Sequence, residues 1–377
     1  MRRARAIRVA LLLVALAGAG CAAAPPSTPS LSPLRAAEPT RAVGGATTQK
    51  PILACTQPPA PVRDIIARKF YTDAANSLPD PAIIAANRDS LKPLNDFSAQ
   101  VQKLAENALL SGNPTPARCA VTWLAAWAKG DAMLGRMEEA VQAGYERKWQ
   151  LVALALPYLM IRDIPTVCPS DNADCMAINR WFVTLAAAVQ PPYEDARRSR
   201  PSNTSARNNH QNWAGAAVML AAIAANDRAL FDWAAQRFRY GLAEIQDDGT
   251  LPLEVARGRR AAHYHSFALA PLLIMAEELR ANGIALTPAD QDRLKRLADR
   301  VRLDLADPGF MAAKAGVAQE SSLLANGKIG SDRLIWAEAW YDLSRDPAVV
   351  PLLAPNRPLS VRSFGGTWTL FFGAALP

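Results

Sequence analysis

The sequence predicts an all-α protein built as a ring of helical hairpins, an α/α toroid. Two observations carry that reading. Alanine-rich segments with large apolar residues at three- and four-residue spacing follow one another almost without pause through the 377 residues, the periodicity of an amphipathic helix. Each segment stops at Pro, Gly, Asn or Asp, as in Ser111-Gly112-Asn113-Pro114 and Asp247-Asp248-Gly249, so the connections are short and neighbours run antiparallel. Stretches of period two are scarce, with 366–372 the best strand candidate. Periodicity alone does not separate a closed toroid from an open solenoid, and no repeat of fixed length is present.

Taken in order, Met1–Arg8 is arginine-rich and Val9–Ala19 is apolar, ending at Ala19-Gly20-Cys21. This is a signal peptide over residues 1–20, too short for a membrane span. Cys21 stands where a bacterial lipoprotein carries its lipid, with Gly18 in place of the usual leucine. Ordinary cleavage at a nearby small-residue site is the alternative. The expectation is an exported, periplasmic protein tied to a membrane through Cys21. Residues 21–50, rich in Ala, Pro, Ser and Thr, read as a flexible tether, and residues 51–377 as the folded domain. A helix is expected from near Pro81, followed by helical patterns at 92–111, 116–129, 131–145, 147–162, 176–190, 209–225, 228–247, 262–282, 287–304 and 332–344.

Composition bounds the function. Half the chain is hydrophobic and 20% is charged, which suits a globular protein. The formal charge of +8 falls to +4 without the four arginines of residues 1–20 (8 − 4). A mildly basic protein is compatible with a polyanionic partner. No run of five basic residues and no zinc finger points to nucleic acid. Export makes the remaining Cys55, Cys119, Cys168 and Cys175 disulfide candidates with three possible pairings. The short loop favours Cys168–Cys175, leaving Cys55–Cys119. No Cys/His spacing suggests a metal site.

All three histidines lie in two windows about fifty residues apart, Asn208-Asn209-His210-Gln211-Asn212-Trp213 and Arg257 to His265. Asn208 is a good cap residue, and Asn209 and Trp213 share a helix face. In the second window Arg260 and Tyr264 are one turn apart. A guanidinium matches a carboxylate, and a phenol near a cation can have its pKa lowered and act as acid or base. The bland alternatives are a capping asparagine, a satisfied core histidine and a buried tyrosine. Together Asn209, His210, Arg257 and Tyr264 suit chemistry at a carbon beside a carboxylate.

A set of motifs in order makes this specific. Cys119 precedes Trp123-Leu124-Ala125-Ala126-Trp127-Ala128, then Arg147-Lys148-Trp149, Asn208-Asn209-His210 with Trp213, and Phe231-Asp232-Trp233-Ala234. Gly249-x-Leu251-Pro252, Arg257 to His265, Trp336-x-Glu338 and Gly365-Gly366-x-x-Thr369 follow. The chain resembles the mannuronate-specific alginate lyases of polysaccharide lyase family five, from about Cys55 to the C-terminal region. The resemblance implies an incomplete α/α barrel that cleaves polymannuronate by β-elimination, with no metal or cofactor. It assigns catalysis to Asn209, His210, Arg257 and Tyr264, and a mobile lid tyrosine to Tyr71. Lys69 stands one position off the family's lid lysine, because Phe70 intervenes, and Gln211-Asn212 replaces a polar–aromatic pair. Arg260 and His265 are read as substrate-side residues and His263 as peripheral. Trp127, Trp213 and Trp336 either stack on sugars or pack between helices. A glucuronan or mixed-polyuronate lyase and a silent polysaccharide-binding lipoprotein are the rival readings.

Overall fold

The computed structural model describes residues 32–39 and 51–377. The signal peptide and Cys21 lie outside them. The body over Leu34–Pro377 is an α/α toroid. Its main helices are α1 (Pro81–Ser111), α2 (Pro114–Lys129), α3 (Ala140–Arg162), α4 (Ala173–Val189), α5 (Asn209–Ala225), α6 (Arg228–Ala243), α7 (Ala261–Ala281), α8 (Pro288–Ala306), α9 (Gly309–Ala315) and α10 (Trp336–Ser344). The helices start where side chains can cap them. Asp80 accepts from the N–H groups of Ala82 and Ile83, Asn172 from Asp174 and Cys175, and Thr287 closes a capping box with Asp290.

Two layers follow from hydrophobicity. In α5 nearly every residue from Asn209 to Ala224 is buried, and α3 and α7 are almost as enclosed. A helix apolar all round belongs inside. These three form the inner wall, with α5 packed against both α3 and α7. Helices α2, α4, α6 and α8 keep polar faces and lie outside.

The closing contacts decide for a ring over an open solenoid. The C-terminal segment pairs β1 (Ser360–Val361) antiparallel with β2 (Gly366–Thr367) and lies back on α1 and α3. Gln102 Nε2 donates to the carbonyl of Arg362 at 2.8 Å, and the Thr367 N–H donates to Glu106 Oε1 at 2.9 Å. At the turn, Gly365 and Gly366 have φ of +98° and +114°. A Cβ on Gly365 would sit 2.8 Å from Leu156 Cδ2, so the approach to α3 needs glycine. The expected strand at 366–372 is therefore only β2 followed by a helical turn, Trp368–Phe371.

Three further expectations change. The helix near Pro81 and the pattern at 92–111 are one 31-residue helix that runs through Pro93. The helix expected at 131–145 starts only at Ala140. Residues 131–137 instead pair with the extended chain before α1: Met133 and Gly135 donate to the carbonyls of Val62 and Arg63 at 2.8 Å, and the Ile65 N–H donates to Arg136 at 2.9 Å. The tether reading fails for Leu34–Pro39. Leu34 and Ala37 are buried, and their N–H groups donate to Asn226 Oδ1 at 2.8 Å and Glu278 Oε2 at 2.9 Å. Asn282 clasps Arg35 in both directions, at 2.9 and 2.8 Å. Asn226 and Asn282 are the C-caps of α5 and α7, so helix ends hold this strap. The disulfides are Cys55–Cys119 and Cys168–Cys175.

Candidate active site

Helix α5 begins at the site because Asn208 Oδ1 accepts the His210 N–H at 3.0 Å. This places Asn209 and His210 in the first turn. Asn209 is fully buried. Its backbone N–H and its Nδ2 both donate to Glu254 Oε1, at 2.7 and 2.9 Å. It therefore lies behind the cleft wall and joins α5 to the second window, rather than looking into the cleft as its spacing suggests. Asn208 lines the cleft instead.

His210 does face the cleft. Its ring stacks on Tyr145, with centroids 3.7 Å apart and planes 15° from parallel. Its Nδ1 lies 3.0 Å from Lys148 Nζ, which also donates to Tyr193 Oη at 2.7 Å. Burial, then the Lys148 and Arg257 charges, push the His210 pKa well below the usual histidine range. The imidazole is neutral. Burial likewise lowers the pKa of Lys148, which is wholly enclosed.

The second window is shaped by a change of direction. Pro252–Val255 makes one helical turn, Gly258–Arg260 makes a 3₁₀ turn, and α7 starts at Ala261. Arg257 thus stands against the first turn of α7, its guanidinium carbon 3.5 Å from the centroid of the Tyr264 ring, a cation–π contact. Arg257 Nη2 donates to the Asn76 carbonyl at 2.9 Å, while its buried Nε lacks a protein partner. Tyr264 departs from expectation. Burial raises its phenol pKa and outweighs the pull of Arg257 and Arg260. The phenol is neutral in the empty site.

The chain before α1 covers this corner. Tyr71 Oη is 2.6 Å from Tyr264 Oη and also accepts from Arg260 Nη1. An arginine only donates, so the Tyr71 oxygen accepts from Arg260, while in the Tyr71–Tyr264 pair either hydroxyl can donate. Arg260 Nε is tied to Glu320 Oε2 at 3.1 Å. Residues 73–78 form a tight loop on Asp73, which accepts from Ser77 and Leu78 N–H at 2.7 and 2.8 Å. Burial raises the Asp73 pKa slightly, but these hydrogen bonds hold it at about 2. Lys69 is exposed at the cleft edge beside Phe70, with its N–H on Glu139.

The resulting cleft has a volume of ≈ 800 Å³ and gathers Lys69, Tyr71, His210, Arg257, Arg260 and Tyr264. Four other expected residues lie elsewhere. Trp127 stacks on Phe97 at 3.5 Å and donates to the Pro59 carbonyl. Trp213 donates to Phe267, and Trp336 to Arg333. All three indoles are fully buried helix packing. His265 is a core histidine: Nε2 accepts the Leu251 N–H at 2.9 Å, so Nδ1 carries the proton given to the Ala261 carbonyl at 2.8 Å. Burial drops its pKa to about 4. The structure adds His263, Glu146, Gln142 and Trp149 to the lining. His263 Nδ1 is buried without a hydrogen bond. Glu146 accepts from Gln142 at 3.0 Å, and burial lifts its pKa to about 7. Trp149 was visible in a motif; His263 neighbours Tyr264 but shows its orientation only in the fold. Among the described residues no group of three His, Cys, Asp or Glu is placed to hold a metal ion.

Comparison with known proteins places the chain. Residues 64–310 match the alginate lyase family. A polysaccharide lyase of Stenotrophomonas maltophilia is 37% identical over 319 residues, covering 84% of this chain and 90% of that protein. An alginate lyase of Pseudomonas syringae pv. syringae is 30% identical over 321 residues, covering 84% and 82%. The fold superposes on a variant of alginate lyase A1-III complexed with tetrasaccharide, with a TM-score of 0.73 at 20% identity over 88% of this chain and 90% of that one. With its helical ring and its cleft of guanidinium, imidazole and phenol groups, the chain belongs to the alginate lyase family, and it is a polysaccharide lyase.

Proposed function

We propose that the protein cleaves poly-β-D-mannuronate by β-elimination, breaking the C4–O4 bond and leaving a 4,5-unsaturated uronate on the new non-reducing end. The observation that carries this is the meeting of Arg257, Tyr264 and Tyr71 with a neutral His210 in one cleft. The C5 proton of a uronate is weakly acidic because the adjacent carboxylate resists a second negative charge. Arg257, with an unpartnered Nε, neutralises that carboxylate as charge builds up.

The Lys148 contact supports a donor role for His210. With Lys148 Nζ as the donor to Nδ1, 3.0 Å away, the ring proton resides on Nε2. His210 then gives a hydrogen bond to the carboxylate and does not accept the C5 proton. That leaves Tyr264. In β-D-mannuronate H5 and O4 lie on the same face, so one group serves both. The Tyr264 phenol first loses its proton to solvent in the substrate-loaded cleft. The phenolate then takes the C5 proton, the C5–H electron pair forms the C4=C5 bond, O4 departs, and the phenol returns the proton to O4, which regenerates the phenolate. The Tyr71 hydroxyl and the Arg257 guanidinium stabilise the phenolate. Asn209 acts at one remove, fixing Glu254, whose backbone carbonyl accepts the Arg257 N–H at 3.0 Å.

The test is ultraviolet absorbance of the unsaturated product on polymannuronate, polyguluronate and glucuronan in parallel, with chelator present. A rise on polymannuronate alone is expected. A rise confined to glucuronan would keep the elimination and move the substrate. No rise on any polymer would overturn the reading.

A further inference from the structure

A second hollow, of ≈ 490 Å³, opens beside the cleft. Val141, Tyr145, Ser202, Asn203 and Ser205 line both. The two are therefore arms of one groove, and Tyr145, stacked on His210, stands at the junction. The reacting groups sit in the first arm only.

The second arm carries positive charge without compensation. Arg197 and Arg200 line it, and no Asp or Glu does. The chain there presents two faces. Asp195 and Arg198, three residues apart, turn toward α6 and α5: Asp195 accepts from Arg237 Nη2 at 2.7 Å, and Arg198 donates to Glu244 Oε1 at 2.6 Å and Gln211 Oε1 at 2.9 Å. Arg197 and Arg200, also three apart, take the opposite face. Neither forms a salt bridge among the described residues. The two acids between Gln190 and Arg207 are Glu194 and Asp195, and Glu194 already accepts from Trp233 Nε1 at 3.2 Å. One pair of charges on this turn is tied to α5 and the end of α6, and the other is left unpaired in a groove. Exposed guanidiniums beside a cleft for a polyanion raise its local concentration and recognise carboxylates as planar forks.

We propose that this arm is a distal subsite for the polyuronate chain, in which Arg197 and Arg200 bind a uronate carboxylate beyond the sugars flanking the scissile bond. Pro191 and Pro192 supply an apolar wall against the sugar ring. The proposal rests on the lyase reading for its substrate and on the groove for its geometry. Its consequence is a dependence on chain length set away from the chemistry.

The experiment compares the wild-type protein with the double variant Arg197→Ala/Arg200→Ala on oligomannuronates of increasing length. On the shortest cleaved oligomer the two should agree in kcat/KM. On longer oligomers the variant should fall behind by roughly three- to tenfold, as expected for exposed ion pairs, and Arg197→Lys/Arg200→Lys should recover part of the difference. Equal length profiles, or an equal loss at every length, would overturn the subsite. Calorimetric binding of the same oligomers to Tyr264→Phe protein, with and without the double substitution, needs no turnover. A length-dependent affinity loss there, alongside a wild-type protein that cleaves none of the oligomers, would sink the lyase reading and keep the subsite. An equal affinity loss for polyglutamate would overturn it in favour of a nonspecific basic patch.

Discussion

At His210 a side chain with two nitrogens shares one of them with a wholly buried lysine, and that contact sets what the other can do. Lys148→Met keeps the bulk of the side chain and removes the donor. The His210 Nδ1 then loses its fixed partner and the ring is free to change tautomer. A fall in kcat of at least about tenfold is expected, together with a changed ¹⁵N shift at His210. An unchanged kcat and unchanged histidine signals would show that Lys148 only packs. The residues with chemistry in their type, His210, Arg257, Tyr264 and Tyr71, were legible from motif and spacing. Lys148, Glu146 and His263 were not, because their importance comes from burial by chain distant in sequence. The same cause defeats Trp127, Trp213 and Trp336: an indole at a helical position reads alike for groove and core. It also reverses the expected direction at Tyr264, where burial outweighs two guanidiniums.

Among the elements, capped and periodic helices such as α2, α4, α5 and α8 sit where the sequence puts them, since caps and periodicity are local. The misread segment at 131–145 has good local helical pattern, but its backbone bonds to residues 62–65, which no window of sequence reveals. Gly365-Gly366 is the converse case, a local signature with a long-range purpose. Gly365→Ala places a Cβ against Leu156 at a φ of +98°. A loss of about 1–3 kcal/mol is expected, read as a lowered thermal midpoint with the circular dichroism of the helices retained. A midpoint equal to wild type would mean that ring closure does not depend on that approach. The pairing of Cys55 with Cys119, across 64 residues, ties the extended chain before α1 to α2 and constrains the unfolded chain by roughly 4 kcal/mol in the loop-entropy account.

For the molecule as a whole, closure comes from both termini of the described body: the C-terminal turn on α1 and α3, and the Leu34–Pro39 strap on the ends of α5 and α7. The strap rests on Glu278, whose pKa burial raises to about 7, against the hydrogen bond from Ala37. A carboxyl raised above its unfolded value of 4.5 contributes stability that is complete below that value and is lost as pH rises through about 7. His265, lowered to about 4, works in the other direction: its contribution is present above the unfolded value of 6.5 and disappears as pH falls through about 4. The thermal midpoint should therefore decline as pH is raised through about 7, and Glu278→Gln should reduce that decline. An identical slope in the variant would remove Glu278 as the cause. The ring itself was legible as a class from helix count and short loops, whereas its closure and the strap depend on contacts between the ends of the chain.

The most direct test of the chemistry is single-turnover cleavage of polymannuronate by Tyr264→Phe, with affinity measured on the same protein. Removing the hydroxyl deletes the group that moves the proton in both half-steps and leaves the ring against Arg257. A fall in the cleavage rate of roughly 10²- to 10⁴-fold, with affinity within about twofold of wild type, is the expected result. Cleavage near the wild-type rate would contradict the assignment and return the search for the base to His210.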